Sequence, residues 1–433
     1  MKRGPGRTFR SLQHRDYRLW AAGAIVSNTG TWMQRIAQDW LVIKVLTEGS
    51  GTAGGITTGL QFGPILLLAP LAGRIADRFP RRRTLMATQS AMAVLAAALG
   101  LLVVSGHAQL WHVYVFAALL GVASAIDGPV RQTFVADLVP PQDLPNAVGL
   151  NSASFNSARL IGPALAGLLI AWVGTGPVFL INAATFAAPL LMLHLLRPAV
   201  PVARPRPAKG GGGMLAALRY LRGRHDLIAL LAVVGVVGTF GLNFQLTSAL
   251  MIGVHFGRDS AAYGLAGTVL AVGSLAGALV AARRARPRFR LVVGAAFAFG
   301  VLATLAALMP SYGWYLLVLA PMGLASLTLM TAANASVQLG TDPAMRGRVM
   351  AVYMGLFQGG TVVGGPVVGW VGTVAGAPWS ILVGSLPSMA IAVLAGVYLL
   401  RHARVRVSYR LRGTPHLQLV PVAGRDERDA AAA

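Results

Sequence analysis

The 433-residue chain contains no cysteine. This absence excludes disulfides, thiolate metal sites and cysteine nucleophiles together, and it leaves the redox compartment undetermined. Charged residues are also scarce, at 12% of the chain, while hydrophobic residues make up 55%. Because a soluble domain normally carries about 25% charged residues, this composition is typical of a membrane protein.

Several catalytic and energy-coupling motifs are missing as well. The sequence has no Gly-x4-Gly-Lys-Ser/Thr loop for ATP, no H-E-x-x-H and no G-x-S-x-G, and its eight histidines are scattered. These absences argue against an integral membrane enzyme, which is the main alternative outside transport. We therefore expect no catalytic residues, no cofactor and no metal site, and any transport must draw on a gradient or a partner.

Twelve apolar stretches are separated by turns or charged residues. A bilayer core of about 30 Å needs roughly 20 residues of helix, so the pattern predicts an all-α membrane protein with twelve transmembrane helices. We number these predicted helices 1 to 12, at residues 19–46, 52–76, 84–105, 110–138, 146–173, 177–196, 227–255, 261–282, 291–309, 312–339, 348–374 and 378–400.

The basic residues predict the orientation of these helices. Of the 37 lysines and arginines, 32 lie in the N-terminal arm, in the loops after helices 2, 6 and 8, just before helix 11, or in the C-terminal tail. By the positive-inside rule, both termini and the even-to-odd loops are cytoplasmic. The basic excess then needs no nucleic acid partner. The N-terminus lacks a small-residue cleavage site, so we interpret it as a retained cytoplasmic end. Frequent Ala, Gly and Arg hint at a GC-rich bacterial genome, and we therefore expect the protein in a bacterial cytoplasmic membrane.

The two halves of the chain resemble each other. "GVAS" at 121–124 matches "GLAS" at 323–326, and "GPALAG" at 162–167 matches "GPVVGW" at 365–370, with nearly equal intervals between the pairs. Helices 4 and 5 thus correspond to helices 10 and 11, a repeat typical of secondary transporters, whereas helices 1 and 7 give no clear register. The predicted divisions are an N-terminal arm (1–18), a six-helix bundle (19–196), a cytoplasmic linker (197–226), a second bundle (227–400) and a partly disordered tail (401–433).

The segment "GRIADRFPRRR" at 73–83 resembles the cytoplasmic signature of the major facilitator superfamily, although Pro80 stands where glycine is usual. "SNTGTWMQRIAQDWLV" (27–42), "DGPVRQTFVADLV" (127–139) and "LPNAVGLNSASFNSARLIGPALAG" (144–167) are similar to its enterobactin-exporter-like and macrolide-efflux-like branch. The resemblance covers all but the tails and implies two pseudo-symmetric six-helix halves that work by alternating access.

The resemblance also implies a cytoplasmic gate, whose residues are Gly73, Asp77, Arg81 and Asp137. In it Asp77 faces the start of helix 11 near residues 346–350, and Arg81 pairs with Asp137. The alternative for these residues is ordinary loop charge, which we favour for the neighbouring Arg82 and Arg83. Asp and Glu contribute little to the positive-inside rule, so this rule does not explain an aspartate in the loop. We therefore favour the gate role for Asp77.

Five charged residues lie well inside predicted helices, away from the helix ends. Arg35 and Asp39 lie four apart in helix 1, Asp127 and Arg131 repeat that spacing in helix 4, and Arg159 stands in helix 5. Each costs roughly 3 kcal/mol to insert, so these side chains should face the bundle interior. Asp39 and Asp127 are candidate proton carriers, or they neutralise the arginines structurally. Arg131 and Arg159 are alternatively candidates to hold an anionic substrate.

The remaining candidates are polar, aromatic or small residues of the helices. Those able to line a cavity include Trp32, Gln34, Asn151, Asn156, Asn243 and Gln358, although most such side chains form interhelical hydrogen bonds. Gly162, Pro163 and Gly167 resemble part of the antiporter-associated glycine-proline motif, and Gly365 with Pro366 repeats it. Small residues permit close helix packing.

We therefore predict a proton-coupled exporter of a small amphipathic molecule, of drug or siderophore type, acting as a monomer with the bilayer, its substrate and protons as partners. The alternatives are an importer or a lipid-type flippase of the same fold.

Overall fold

A computed structural model describes residues 9–196, 213–282, 289–343, 345–402, 405–410 and 416–421. The side chains of Asp77 and Asn156, two of the candidates above, lie outside the described part. Most of the predicted linker, residues 197–212, lies outside it too.

The regular secondary structure of the described residues is helical, apart from one short antiparallel strand pair in the tail. The helices of the first half are α1 (Arg15–Trp40), α2 (Gly51–Leu67), α3 (Ala69–Arg78), α4 (Arg81–Val104), α5 (Leu110–Phe134), α6 (Leu144–Val173), α7 (Thr175–Thr185) and α8 (Ala187–Leu195). The later elements are α9 (Gly213–Arg222), α10 (His225–Val236), α11 (Phe244–Ala249), α12 (Ser260–Ala282), α13 (Phe289–Ala307), α14 (Tyr312–Gly340), α15 (Arg346–Val374), α16 (Ala377–His402), β1 (Val405–Arg410) and β2 (His416–Pro421).

The all-α membrane fold is the one that the sequence predicts. Among the described residues, ten helices are long and apolar enough to cross a membrane, and eleven if α2 and α3 form one bent span. The predicted helix that does not meet this criterion is helix 1, because polar and charged side chains such as Arg35 and Asp39 interrupt it. It is nevertheless a continuous helix packed against α6, α7 and α8.

Predicted helix 2 is bent instead of straight. Its two parts, α2 and α3, meet at an angle of 54°, at Leu68. Pro64 lies in the last turn of α2 and Pro70 in the first turn of α3; each lacks an N–H and disfavours a continuous helix. Beyond α3, Phe79 and Pro80 adopt extended ψ angles before α4 begins. The chain therefore turns here without the glycine that is usual at position 80.

Helices 1 and 7 contain π-helical segments, at Leu41–Leu46 in helix 1 and at Val237–Gly241 and Leu250–His255 in helix 7. The first and last of these occupy equivalent ends of the two halves and pack against each other. Lys44 Nζ donates a hydrogen bond to the carbonyl of Gly253 at 2.9 Å between them. Both segments contain six residues, so aligning Leu41 with Leu250 gives a register for helices 1 and 7, which the sequence leaves open.

Small residues bring the two halves together along two helix crossings. Where α2 crosses α15, a Cβ added to Gly55 would lie 2.5 Å from the carbonyl oxygen of Gly365 and 2.9 Å from Cα of Pro366. Where α6 crosses α12, a Cβ on Gly167 would lie 2.7 Å from Cα of Gly264. Such approaches exclude any side chain larger than hydrogen.

The other residues predicted for helix packing also lie at close contacts. A Cβ on Gly162 would stand 2.5 Å from Cβ of Trp32, where α6 meets α1. Pro163 of α6 lies against Gly267 of α12, whose added Cβ would be 2.9 Å from Cβ of the proline.

Replacing Gly55 with alanine tests the crossing of α2 and α15. The new methyl group meets backbone that cannot move without separating the helices, so we expect the protein to lose about 1–3 kcal/mol of stability and its unfolding temperature in detergent to fall. Gly294→Ala in α13 is the matched control, because a Cβ there meets nothing within 4 Å. Equal unfolding temperatures for the two variants would contradict the close packing.

The N-terminal segment is fixed to the turn before α6. Arg10 Nε and His14 Nε2 each lie 2.8 Å from a carboxylate oxygen of Asp143, which is 4% exposed. Tyr17 donates a hydrogen bond to the carbonyl of Ala147 at 2.8 Å, and burial raises the pKa of Tyr17 to about 12. The hydroxyl thus keeps its proton, and this contact, at physiological pH.

Candidate substrate and proton site

A cavity of about 90 Å³ lies between the two halves. From the first half, α1 supplies Trp32 and α6 supplies Arg159; from the second, α11 supplies Gln245 and Ser248, and α12 supplies Tyr263. The rest of its wall is mainly apolar. An apolar cavity with a few convergent polar groups at the interface of two halves is the usual form of a small-molecule site.

Asp39 lies beside this cavity and is 8% exposed. The Tyr263 hydroxyl is 3.5 Å from its Oδ2 and 2.9 Å from the carbonyl oxygen of Gln245. Because a phenol has one proton to donate, the shorter contact takes it, and Asp39 is left with a weak contact. The tyrosine ring also stacks on Trp40, with ring centres 5.7 Å apart, so Asp39 of the first half and α12 of the second meet at this hydroxyl.

Arg35 does not form the ion pair with Asp39 that their spacing suggests. Its guanidinium carbon lies 4.9 Å from the ring centre of Trp32 and 5.3 Å from that of Phe62. The guanidinium carbon of Arg159 lies 5.5 Å from the ring centre of the same indole. Within the described part of the chain, Nε of Arg35 is buried without a hydrogen-bond partner. Aromatic faces, not carboxylates, thus hold both guanidiniums.

Asp127 has a complete set of partners. Its Oδ1 accepts hydrogen bonds from Thr88 Oγ1 at 2.9 Å and from Gln89 Nε2 at 2.7 Å, and its Oδ2 accepts one from Arg131 Nε at 2.9 Å. Arg131 also donates to Asn28 at 3.3 Å. Asp127 is 5% exposed. The pairing predicted from the four-residue spacing is therefore present here, in contrast to the pair in helix 1.

The other polar candidates are dispersed. Gln34 is buried and hydrogen-bonded to Asn182 of α7, and Asn243 donates to the carbonyl of Thr239 at 2.8 Å, at the break before α11. Asn151 is half-buried on α6, while Gln358 is exposed on α15. Of the predicted cavity-lining residues, Trp32 and Arg159 are the ones that the cavity brings together.

Arg81 and Asp137 of the predicted gate do meet. Arg81 Nη1 lies 3.1 and 3.0 Å from the two carboxylate oxygens of Asp137. Both residues belong to the first half, so this pair cannot by itself hold the halves together. A Cβ on Gly73 would meet nothing within 4 Å. The helix that carries Asp77, α3, packs on α5 rather than along α15 in the described structure.

The sequence profile of the transmembrane secretion effector family, within the major facilitator superfamily, matches residues 7–418. The chain belongs to this family.

Two curated relatives of the chain are transporters. It is 29% identical over 257 residues to the staphyloferrin A transporter of Staphylococcus aureus, a match that covers 58% of the chain and 63% of that relative, less than two thirds of its length. It is 26% identical over 384 residues to the multidrug efflux pump Tap of Mycolicibacterium fortuitum, covering 86% of the chain and 93% of the pump.

The fold has a solved counterpart. The structure of a bacterial homologue of the human lysosomal transporter Spinster, inward-facing and unoccupied, superposes with a TM-score of 0.70 over 89% of the chain and 98% of that protein, at 15% identity. This likeness shows the major facilitator fold. Its membership of the family makes the protein a multi-pass membrane transporter.

Some residues of the site give no signal in the sequence. Tyr263, Thr88 and Gln89 are ordinary residues of apolar helices until the fold places them beside Asp39 or Asp127. Arg82, which we interpreted as loop charge, donates to the carbonyls of His194 and Leu196 at 2.9 and 3.2 Å and so caps the end of α8. A capping role depends on a helix end more than 100 residues away and cannot be read from local pattern.

Proposed function

We propose that the protein is a secondary transporter that exports a small amphipathic molecule from a bacterial cytoplasm in exchange for protons. The observation that carries this proposal is the cavity between the halves, with the weakly bonded carboxylate of Asp39 at its edge. Alternating access needs a site shared by both halves, and proton exchange needs a carboxylate whose surroundings change between states.

The distribution of basic residues supports the orientation, with both termini in the cytoplasm. In that orientation the structure is closed toward the outside. Thr52 of α2 and Thr373 of α15 form hydrogen bonds at 2.8 and 3.0 Å at that end, and Lys44 bonds to Gly253 there. Toward the cytoplasm, α3 is bent by 54° relative to α2 and packs on α5. We therefore assign the structure to a state that faces the cytoplasm.

The same geometry supports a role for the predicted gate in the opposite state. Arg81 and Asp137 fix the start of α4 to the end of helix 4, and this holds the Phe79–Pro80 turn in place. When the cytoplasmic ends approach, Asp77 at the end of α3 would meet the N-terminus of α15, where the helix dipole favours a negative charge. We propose that this contact latches the state open to the outside.

Between the two candidate proton carriers, the contacts favour Asp39. Protonating Asp127 would weaken hydrogen bonds from Thr88, Gln89 and Arg131, whereas protonating Asp39 disturbs one contact of 3.5 Å. Asp39 can therefore change its charge at lower cost. Because its one described polar neighbour across the cavity belongs to the other half, the rocking motion would also alter its surroundings.

Transport into proteoliposomes tests the direction and the coupling. A panel of anionic, neutral and cationic aromatic probes is offered to vesicles of uniform orientation under an imposed pH gradient. We expect at least one probe to move in the direction opposite to the flow of protons. Its movement should stop when an ionophore collapses the pH gradient. Movement in the same direction as protons would indicate an importer, and transport indifferent to the gradient would refute proton coupling.

Removing the hydroxyl of Tyr263 should lower gradient-driven transport. This hydroxyl donates to the carbonyl of Gln245 at 2.9 Å and so joins α12 to α11 beside Asp39. In Tyr263→Phe the carbonyl loses that hydrogen bond, so we expect gradient-driven probe flux to fall at least about threefold. Tyr315→Phe is the control, because that hydroxyl contacts Ser248 instead. An equal loss of flux in both variants would show that Tyr263 has no specific role in coupling.

A further inference from the structure

The three arginines inside the predicted helices differ in how their charge is balanced. Of these, Arg159 lines the cavity and Arg35 lies against Trp32 of its wall. Arg131 has a carboxylate partner in Asp127 at 2.9 Å. Among the described residues, neither Arg35 nor Arg159 forms an ion pair, although both guanidiniums lie within 5.5 Å of the ring centre of Trp32. Arg131, one of the two arginines that the sequence suggests for an anionic substrate, is thus already neutralised, and Arg35 takes its place.

Two guanidiniums on one indole form an unusual arrangement near the middle of a membrane protein. A cation is costly to place at bilayer depth, and the two repel each other. Contact with an aromatic face recovers part of that cost when the cation is desolvated. The nearby carboxylate of Asp39 offsets at most one of the two charges. A further negative charge supplied by a ligand would complete the balance.

The cavity wall indicates the rest of the ligand's chemistry. Trp32 and Arg159 share it with Phe244 and Leu270, while Gln245 and Ser248 provide the uncharged polar groups. Guanidinium planes bind carboxylate, sulfonate or phosphate groups through paired hydrogen bonds. Aromatic and aliphatic walls favour a ring beside that group.

We infer that the cavity binds an organic anion that carries an aromatic or other compact apolar group, with Arg35 and Arg159 around Trp32 as its anion-binding residues. This inference rests on the proposed transport function and specifies its substrate class.

Three aromatic probes that differ in charge test this inference on the full-length protein in a neutral detergent. They are naphthalene-2-sulfonate, 2-naphthalenemethanol and (2-naphthylmethyl)trimethylammonium, with affinities measured by calorimetric titration. We expect the sulfonate to bind at least about tenfold more tightly than the other two. This comparison needs no variant, so it stands even if substitutions impair folding. Equal affinities, or tightest binding of the cation, would overturn the inference.

Variants then assign the effect to the two arginines. We expect Arg35→Gln and Arg159→Gln each to weaken sulfonate binding about tenfold and to change binding of the neutral alcohol less than twofold. Lysine at either position should keep most of the affinity. Arg74→Gln is the matched control, since Arg74 is exposed on α3. Sulfonate binding at wild-type strength in both glutamine variants would contradict the assignment.

The ligand class and the transport mechanism can fail separately. If the cationic probe moves against the proton gradient and the sulfonate does not bind, the ligand class is wrong and the proposed function survives. If the sulfonate binds as expected and no probe responds to the gradient, the proposed function is wrong and the anion site survives.

Discussion

Replacing Asp39 with asparagine should reduce transport driven by a pH gradient by roughly 100-fold, while exchange of substrate across equilibrated membranes stays within about threefold of the wild type. The amide keeps the size of the side chain but cannot exchange a proton. Because rocking of the two halves does not itself require a gradient, exchange persists. The measurement is probe flux in proteoliposomes, with and without an imposed gradient.

Asp127→Asn is the matched variant. Here the substitution disturbs the hydrogen bonds from Thr88 and Gln89 and leaves Arg131 without its counter-charge, which typically costs about 3–5 kcal/mol. We expect a lower unfolding temperature, with transport by the remaining folded protein still dependent on the gradient. If proton coupling were lost in Asp127→Asn and kept in Asp39→Asn, Asp127 would be the proton carrier and Asp39 the structural residue.

A disulfide between positions 52 and 373 should stop transport almost completely and reversibly. The hydroxyls of Thr52 and Thr373 are 3.0 Å apart where α2 meets α15, close enough for cysteines at both positions to bond after small adjustments. The bond would hold the outer end closed, so alternating access could not proceed. We expect oxidation of Thr52→Cys/Thr373→Cys to lower probe flux at least about tenfold, and a reductant to restore it.

The sequence contains no cysteine, so no other thiol can react in place of the two introduced ones. Each single cysteine variant serves as a control and should transport equally under oxidising and reducing conditions. Full flux through the cross-linked double variant would show that this end need not open, and the alternating-access account would fail.

Much of the fold can be predicted from the sequence because long apolar segments have few options in a bilayer. The helix ends near Leu110, Tyr312 and Val374 lie close to the predicted ones. Departures occur where local chemistry is ambiguous. The two prolines disfavour a continuous helix 2 but do not set the angle between its parts, so the 54° bend at Leu68 could not be predicted from the sequence. The π segments have no distinct composition, and without them helices 1 and 7 could not be aligned.

The sequence predicts some residues of the candidate site but not their contacts. The spacing in helix 1 and in helix 4 is the same, yet Asp127 pairs with Arg131 while Arg35 turns toward Trp32 and Phe62. The difference comes from neighbouring helices, since α4 brings Thr88 and Gln89 to Asp127 and α6 brings a second guanidinium to Trp32. Partners contributed by distant helices are set by the tertiary fold.

Proton movement linked to substrate movement is the most direct test of the account. Proteoliposomes that contain a pH-sensitive dye in their lumen receive the transported probe on the cytoplasmic face of the protein, with no initial pH difference. The account predicts that probe entry through the wild-type protein acidifies the medium on that face and raises lumenal pH, and that Asp39→Asn moves the probe without a pH change. Equal pH changes with both proteins, or none with the wild type, would contradict it.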